Sequence, residues 1–236
     1  MSVPTCTSLL DGHRLKCVTS TDFSSLAPEI RAVYDTIAKR RDVRAEFTGE
    51  KLDEQVLMRV LTAAHSAPSV GNSHPWDFVL IDDPQRLAEF ATHVATRRQA
   101  FAESLPEPRK DVFNPIKVEG IRESGLGVVV TYDPTRGGPH ILGRHTIDET
   151  GLMSAALAIQ NLWLAATAEG LGVGWVSFYQ EEFLADFVGC KQPVRPIAWL
   201  CLGPVTHLEE VPDLERFGWR SRRPLKDAIH RDHLGS

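Results

Sequence analysis

Apolar residues return at helical spacing soon after the first two dozen positions. Ile30, Val33, Tyr34, Ile37 and Ala38 mark one face of a helix that starts near Pro28, with Ser25 as a cap. Val56, Leu57, Val60, Leu61 and Ala64 predict a second helix from about Asp53. The stretch SAPSVGNSHPW is turn chemistry throughout and leads into a strand at 78–81. An amphipathic helix follows from Pro84 to about Glu103, and residues 127–133 form a strand. Between them, ESLPEPRKDVFNP is too rich in proline and charge for a regular element and reads as a lid or crossover. The longest helix spans about Asp148 to Glu169, is apolar on most sides and is therefore expected at the centre of the fold. Gly170 stops it. Strands at 173–178 and 195–203 flank a short helix around EEFLADFVG, and the tail VPDLERFGWRSRRPL is extended and basic before a last short helix. Residues 1–26 show no sustained period and read as a loosely ordered arm, which leaves 27–236 as a single domain with an extended C-terminal arm.

A formal charge of −5 argues against a dedicated nucleic-acid binder, whose affinity would rest on neutralising phosphates. The four cysteines form no CxxC pair, as expected of reduced thiols in a cytoplasmic protein, and no early segment has a signal-peptide layout. Leu152 to Leu171 is the most apolar stretch, but Gln160, Asn161 and Glu169 interrupt it, so a buried helix is expected and not a membrane span. The pairs His140/His145 and His230/His233 lack ligand companions at metal spacing, so no metal is expected. GLGVG (170–174) closes a helix and opens a strand, the reverse of a dinucleotide fingerprint, and reads as a helix cap followed by a close backbone approach. Ser177 has no nucleophile-elbow sequence around it.

Two basic clusters remain, KRRDVR (39–44) and WRSRRPL (219–225), and together they fit one phosphate or another polyanion, since guanidinium forks match phosphate oxygens. The first cluster holds an acid, Asp42, in its middle. On the residues alone the chain is an α/β or α+β domain that binds a phosphorylated small molecule.

The segments RRDVR, APSVGNSHPWDF, IKVEGI, LGRHTIDET, QNLWLAATAEGLGVGWVSF, WLCLG and GWRSR, in this order, closely resemble the 5,6-dimethylbenzimidazole synthases, the flavin-destructase branch of the nitroreductase-like flavoproteins. The likeness runs over about residues 28–225. It implies an α+β fold with a mostly antiparallel sheet wrapped by helices, in an intertwined homodimer with two FMN sites at the subunit interface. It implies that Arg40 and Arg222 hold the FMN phosphate, with Arg41 and Arg220 beside them. Asp42, Val43 and Arg44 would lie along the flavin, Arg44 at the pyrimidine end of the ring. Ser69, Gly71 and Asn72 would line the ring or ribityl chain. Gly174 and Trp175 through Ser177 would pass its N5 edge. The implied reaction is oxygen-dependent fragmentation of reduced FMN to 5,6-dimethylbenzimidazole and erythrose 4-phosphate, with Asp42 and Ser177 as the catalytic pair and a separate flavin reductase as the source of reduced FMN. Where the wider superfamily commonly has a serine, Asp42 offers a proton acceptor. Segment 100–118 would cover the flavin. Two positions depart from the family pattern: His74 stands where glutamine precedes the Pro-Trp pair, and Met153 where a tyrosine opens the central helix. The competing readings are a conventional FMN-dependent NAD(P)H oxidoreductase and a non-catalytic flavin-binding protein.

Overall fold

Alternate residues of the strand Gly127–Tyr132 are buried on opposite faces, and this sets the layering of the molecule. A computed structural model describes residues 23–234. Its helices are α1 (Pro28–Lys39), α2 (Glu54–His65), α3 (Pro84–Ser104), α4 (Glu107–Phe113), α5 (Ile121–Ser124), α6 (Thr150–Ala168), α7 (Glu181–Val188) and α8 (Asp213–Arg216). Its strands are β1 (Trp76–Ile81), β2 (Gly127–Tyr132), β3 (Leu171–Val176) and β4 (Arg195–Pro204), in the order β1-β2-β4-β3 with every neighbour antiparallel. The α+β architecture is the one expected from the resemblance; hydrophobic periodicity alone left a parallel sheet open.

Val128, Val130, Ala198, Leu200 and Leu202 pack on one side of the sheet with residues of α2 and α6. Val129, Trp199 and Cys201 pack on the other with α3, α5 and α7. The period of two along a strand therefore feeds two cores from one sheet. On the second side the Trp199 ring stacks on Phe90 at 3.8 Å, and Gly127 makes room for it: a Cβ there would lie 2.3 Å from the indole. Burial pushes the Cys201 thiol up to about 11, which keeps it inert, and Cys190 is also a free thiol.

Local chemistry explains the helix starts. Asp53 accepts from the backbone N–H groups of Gln55 and Val56, and Asp83 from those of Gln85 and Arg86, with Pro84 in the first turn of α3. The long helix α6 is long and apolar enough to cross a membrane by length and composition. Here Ala155, Ala158, Ile159, Leu162 and Ala166 bury it in the core instead.

Two expectations need correction. Residues 107–113, read as irregular, form α4: the proline at 106 precedes the helix and Pro108 lies in its first turn, where a missing N–H costs nothing. The tail, expected to be extended, carries the short helix α8, while the last short helix expected after it is the 3₁₀ turn at Leu225–Ala228. The expected loose arm lies almost wholly outside the described residues.

Contacts divide the chain after Asp35 into a small first unit and a large second one. In the first, Phe23 stacks on Tyr34 at 4.6 Å. On the predicted apolar face of α1, Ile30, Val33, Tyr34 and Ile37 are exposed.

Candidate active site

The strand order leaves β3 at an edge, and the chain covers that edge with its own basic segment. Beyond α1, Asp42 pairs with Val173 in a parallel bridge and the Val43 N–H donates to the Val173 carbonyl at 2.9 Å. Further on, Phe47 bridges Val205 and Thr48 N–H donates to Pro204. Gly174 makes this approach possible. A Cβ on it would stand 2.1 Å from the Val43 carbonyl oxygen and 2.4 Å from Nη1 of Arg44. The close backbone approach predicted for GLGVG is thus made by residues 43–44.

Asp42 and Arg44 then grip Trp175 from both sides of its peptide. Oδ1 of Asp42 accepts from the Trp175 N–H at 2.8 Å, and Nη2 of Arg44 donates to the Trp175 carbonyl at 2.6 Å. The same Nη2 donates to Oδ2 of Asp42 at 2.6 Å, while Nη1 reaches the Val43 carbonyl at 3.2 Å. Glu46 turns back and accepts from the Arg44 and Ala45 N–H groups. Arg44 is 8 % exposed. The Asp42 side chain keeps 48 % exposure, and the carboxylate lines a cavity. Desolvation by the protein packed around this recess dominates and raises the Asp42 pKa above its ordinary value; Arg44, the Trp175 N–H and Arg40 oppose the rise without cancelling it.

The cavity holds about 440 Å³. Arg40, Arg41, Asp42, Val43, Arg44, Glu46, Trp175 and Ser177 line it together with apolar groups from two covering segments. One is 101–118, with Phe101, Phe113, Ile116 and Val118; the other runs from Glu209 to Trp219. Segment 100–118 is therefore where a cover was expected. Arg98 lies over Phe113 at 4.9 Å and Arg109 over Trp219 at 3.8 Å, so cation–π contacts tie the covers.

Seven of the predicted site residues thus share one cavity wall: Arg40, Arg41, Asp42, Val43, Arg44, Trp175 and Ser177. Gly174 sits behind them on β3. Arg40 stacks over Trp163 at 5.0 Å. The Arg222 charge reaches Arg41, whose pKa is lowered first by burial and then by Arg222 and Arg40; Arg220 and Arg222 themselves are exposed. Ser69, Gly71 and Asn72 are not in this wall. They form a turn packed against Ile141 and Leu142, with the Val70 N–H donating to Ser154. Asn72 and His74 both have positive φ, and the His74 ring lies 5.3 Å from those of His65 and Trp76. Met153 is 56 % exposed. Three contributors were not singled out by sequence: Trp219, Glu46 and Trp163, whose Nε1 donates to the Arg41 carbonyl at 2.9 Å. Trp219 lay within a recognised motif, GWRSR, but nothing in the spacing tells that its indole reaches α4.

Arg44→Gln is expected to move the Asp42 carboxyl further up, because Arg44 is the first of the groups holding it down. A carboxyl-carbon NMR titration checks this. The linkage sign follows: with the folded value above the ordinary 3.8, the proton favours the fold. That contribution is complete below 3.8 and is lost as pH rises through the folded value.

Residues 37–204 match the nitroreductase family model. The 5,6-dimethylbenzimidazole synthase of Rhodospirillum rubrum is 41 % identical over 199 residues, 84 % of this chain and 93 % of that protein. The 5,6-dimethylbenzimidazole synthase of Rhodobacter capsulatus is 34 % identical over 83 % of this chain and 94 % of its own length. Among solved structures, oxidized iodotyrosine deiodinase bound to FMN and 3-iodo-L-tyrosine superposes with a TM-score of 0.67 at 20 % identity, over 86 % of this chain and all of that one (100 %). The chain belongs to the nitroreductase family of oxidoreductases, within the branch that holds the 5,6-dimethylbenzimidazole synthases.

Proposed function

We propose that this protein consumes reduced FMN as its substrate and, with molecular oxygen, fragments it to 5,6-dimethylbenzimidazole and erythrose 4-phosphate. The observation that carries the reading is the Asp42 carboxylate, held by Trp175 and Arg44 at the wall of a cavity lined by arginines and aromatic rings. Two relatives that carry the name of that synthase over most of their length support it.

The residues present fit FMN. A cavity of about 440 Å³ falls within the roughly 300–1,000 Å³ typical of small-ligand sites. Phe101, Phe113, Trp175 and Trp219 offer apolar faces to a flat ring. Arg40, with Arg220 and Arg222 of the tail, supplies cationic groups for the phosphate. When bound in reduced form, FMN supplies the electrons for oxygen and the carbon skeleton of both products. The chain's own residues bind, orient and move protons. Asp42, with its pKa raised by burial, is a proton acceptor on the ribityl side. Arg44 beside it fixes the carboxylate and offers its guanidinium to an anionic ring. Ser177 carries a hydroxyl on the same wall and passes a proton. Val43 and Gly174 hold these groups in register along β3, and the segments 101–118 and 209–219 exclude water.

The working form is a homodimer. Exposed Ile30, Val33 and Ile37 on α1 and Met153 and Leu157 on α6 offer apolar surface for a second copy. That copy brings its Ser69–Asn72 turn to the flavin, which accounts for a turn that is absent from its own chain's cavity wall. A separate flavin reductase in the cytoplasm supplies reduced FMN.

The test is to bind FMN, reduce it without air and admit oxygen while following the flavin absorbance. Irreversible bleaching with release of 5,6-dimethylbenzimidazole supports the reading. Full recovery of oxidised FMN would point to a conventional oxidoreductase with an external electron acceptor.

A further inference from the structure

The second arginine of the basic run does something different from its neighbours. Nη1 of Arg41 donates to the carbonyls of Ala38 and Arg40 at 2.7 and 2.8 Å, and Nη2 donates to the carbonyl of Glu210. Nε is buried without a partner. Three of the five guanidinium N–H groups thus donate to protein carbonyls; of the other two, the one on Nε is buried, which leaves a single N–H on Nη2 and no exposed fork for a bidentate contact to phosphate.

The third of those carbonyls opens the covering segment 209–219. Within it, Arg216 pairs with Asp213 at 2.6 Å and with Glu209 at 3.3 Å, and the Trp219 N–H folds back to the Leu214 carbonyl at 2.8 Å. Its far end is held by Arg109, stacked on the Trp219 ring, whose Nη1 donates to the Trp219 carbonyl at 3.4 Å. Between the two ends Val211 and Leu214 remain 44 % and 49 % exposed, so core packing holds the middle only weakly. The segment is an internally braced flap on the cavity, attached at its near end by Arg41 and at its far end by α4.

We propose that Arg41 is a positioning residue, a carbonyl clasp that holds this flap closed over the cavity. The proposal rests on the cavity being the flavin site. Its consequence is chemical. With the flap loose, water enters and reduced FMN gives both electrons and two protons to oxygen, yielding oxidised FMN and hydrogen peroxide with no carbon–carbon bond broken. Lysine cannot replace Arg41 here, because one ammonium cannot reach carbonyls of both segments as a planar fork does.

The experiment compares hydrogen exchange in wild type, Arg41→Lys, Arg41→Gln and Glu210→Ala, each with and without FMN, alongside FMN affinity, peroxide yield and melting temperature. In both Arg41 variants residues 209–219 are expected to exchange about tenfold faster, with exchange elsewhere unchanged. Arg41→Lys is expected to keep FMN affinity within about threefold and to raise the peroxide yield. Glu210→Ala is expected to behave as wild type, since only its carbonyl is used. Unchanged exchange in the flap of Arg41→Lys overturns the proposal. If FMN affinity also falls tenfold or more, Arg41 is a phosphate ligand instead. Should wild type bind no FMN, the flavin reading fails, yet exchange in the free protein still decides the clasp.

Discussion

Asp42→Asn is expected to lower formation of 5,6-dimethylbenzimidazole from reduced FMN by a factor of about 10²–10⁴, the span of a lost general base. The substitution keeps the shape of the side chain. Its amide oxygen still accepts from the Trp175 N–H, now at 2.8 Å from Oδ1, so β3 and the basic segment stay joined. What it loses is the ability to take a proton, and with it the Oδ2 acceptor for Nη2 of Arg44, which an amide nitrogen cannot replace. Arg44 keeps its bonds to the Trp175 and Val43 carbonyls, so the guanidinium is not left unpaired. The fold should tolerate the change, because the carboxylate's raised pKa marks a charge that burial already disfavours. FMN affinity and melting temperature are therefore expected to stay close to wild type while the single-turnover rate collapses. The acid limb of the wild-type pH profile is expected above the ordinary carboxylate value, since the base works only when ionised. Equal product yields from the variant would move the proton-accepting role elsewhere on the wall, Ser177 first.

Gly174→Ala is expected to destabilise the protein by about 3 kcal/mol, at the upper end of overpacking costs. The obstacle is backbone. The new Cβ would meet the Val43 carbonyl oxygen at 2.1 Å, and no rotamer can relieve that. The segment must lift off β3, and Asp42 and Arg44 then leave Trp175. A displacement near 1 Å costs about 10² in rate, so the variant should lose both stability and turnover. Thermal melting and single-turnover kinetics on the same preparation check this. A wild-type melting temperature would show that residues 43–44 do not lie against Gly174 in solution.

The periodic elements were legible because each is written locally. The face of α2, the start of α3 at Pro84, the strand before Asp133 and the stop at Gly170 all follow from neighbouring residues. The sheet's direction was not, because strands alternating with helices fit parallel and antiparallel order alike; the family likeness decided it. The helix α4 was missed since Pro106 and Pro108 look like breakers until one of them is placed in a first turn. In the site, the content of KRRDVR was visible but the division of labour within it was not. Whether an arginine faces a phosphate or a carbonyl depends on Glu210, 169 positions away. Likewise, α1 announced an apolar face, yet its residues Ile30, Val33, Tyr34 and Ile37 are exposed.

The most direct test of the account places carbon-13 at the ribityl C1′ of FMN, reduces it on the protein and admits oxygen for one turnover. The account predicts labelled C2 in 5,6-dimethylbenzimidazole and an unlabelled four-carbon phosphate. Labelled FMN recovered whole, with peroxide as the product of oxygen, would contradict it.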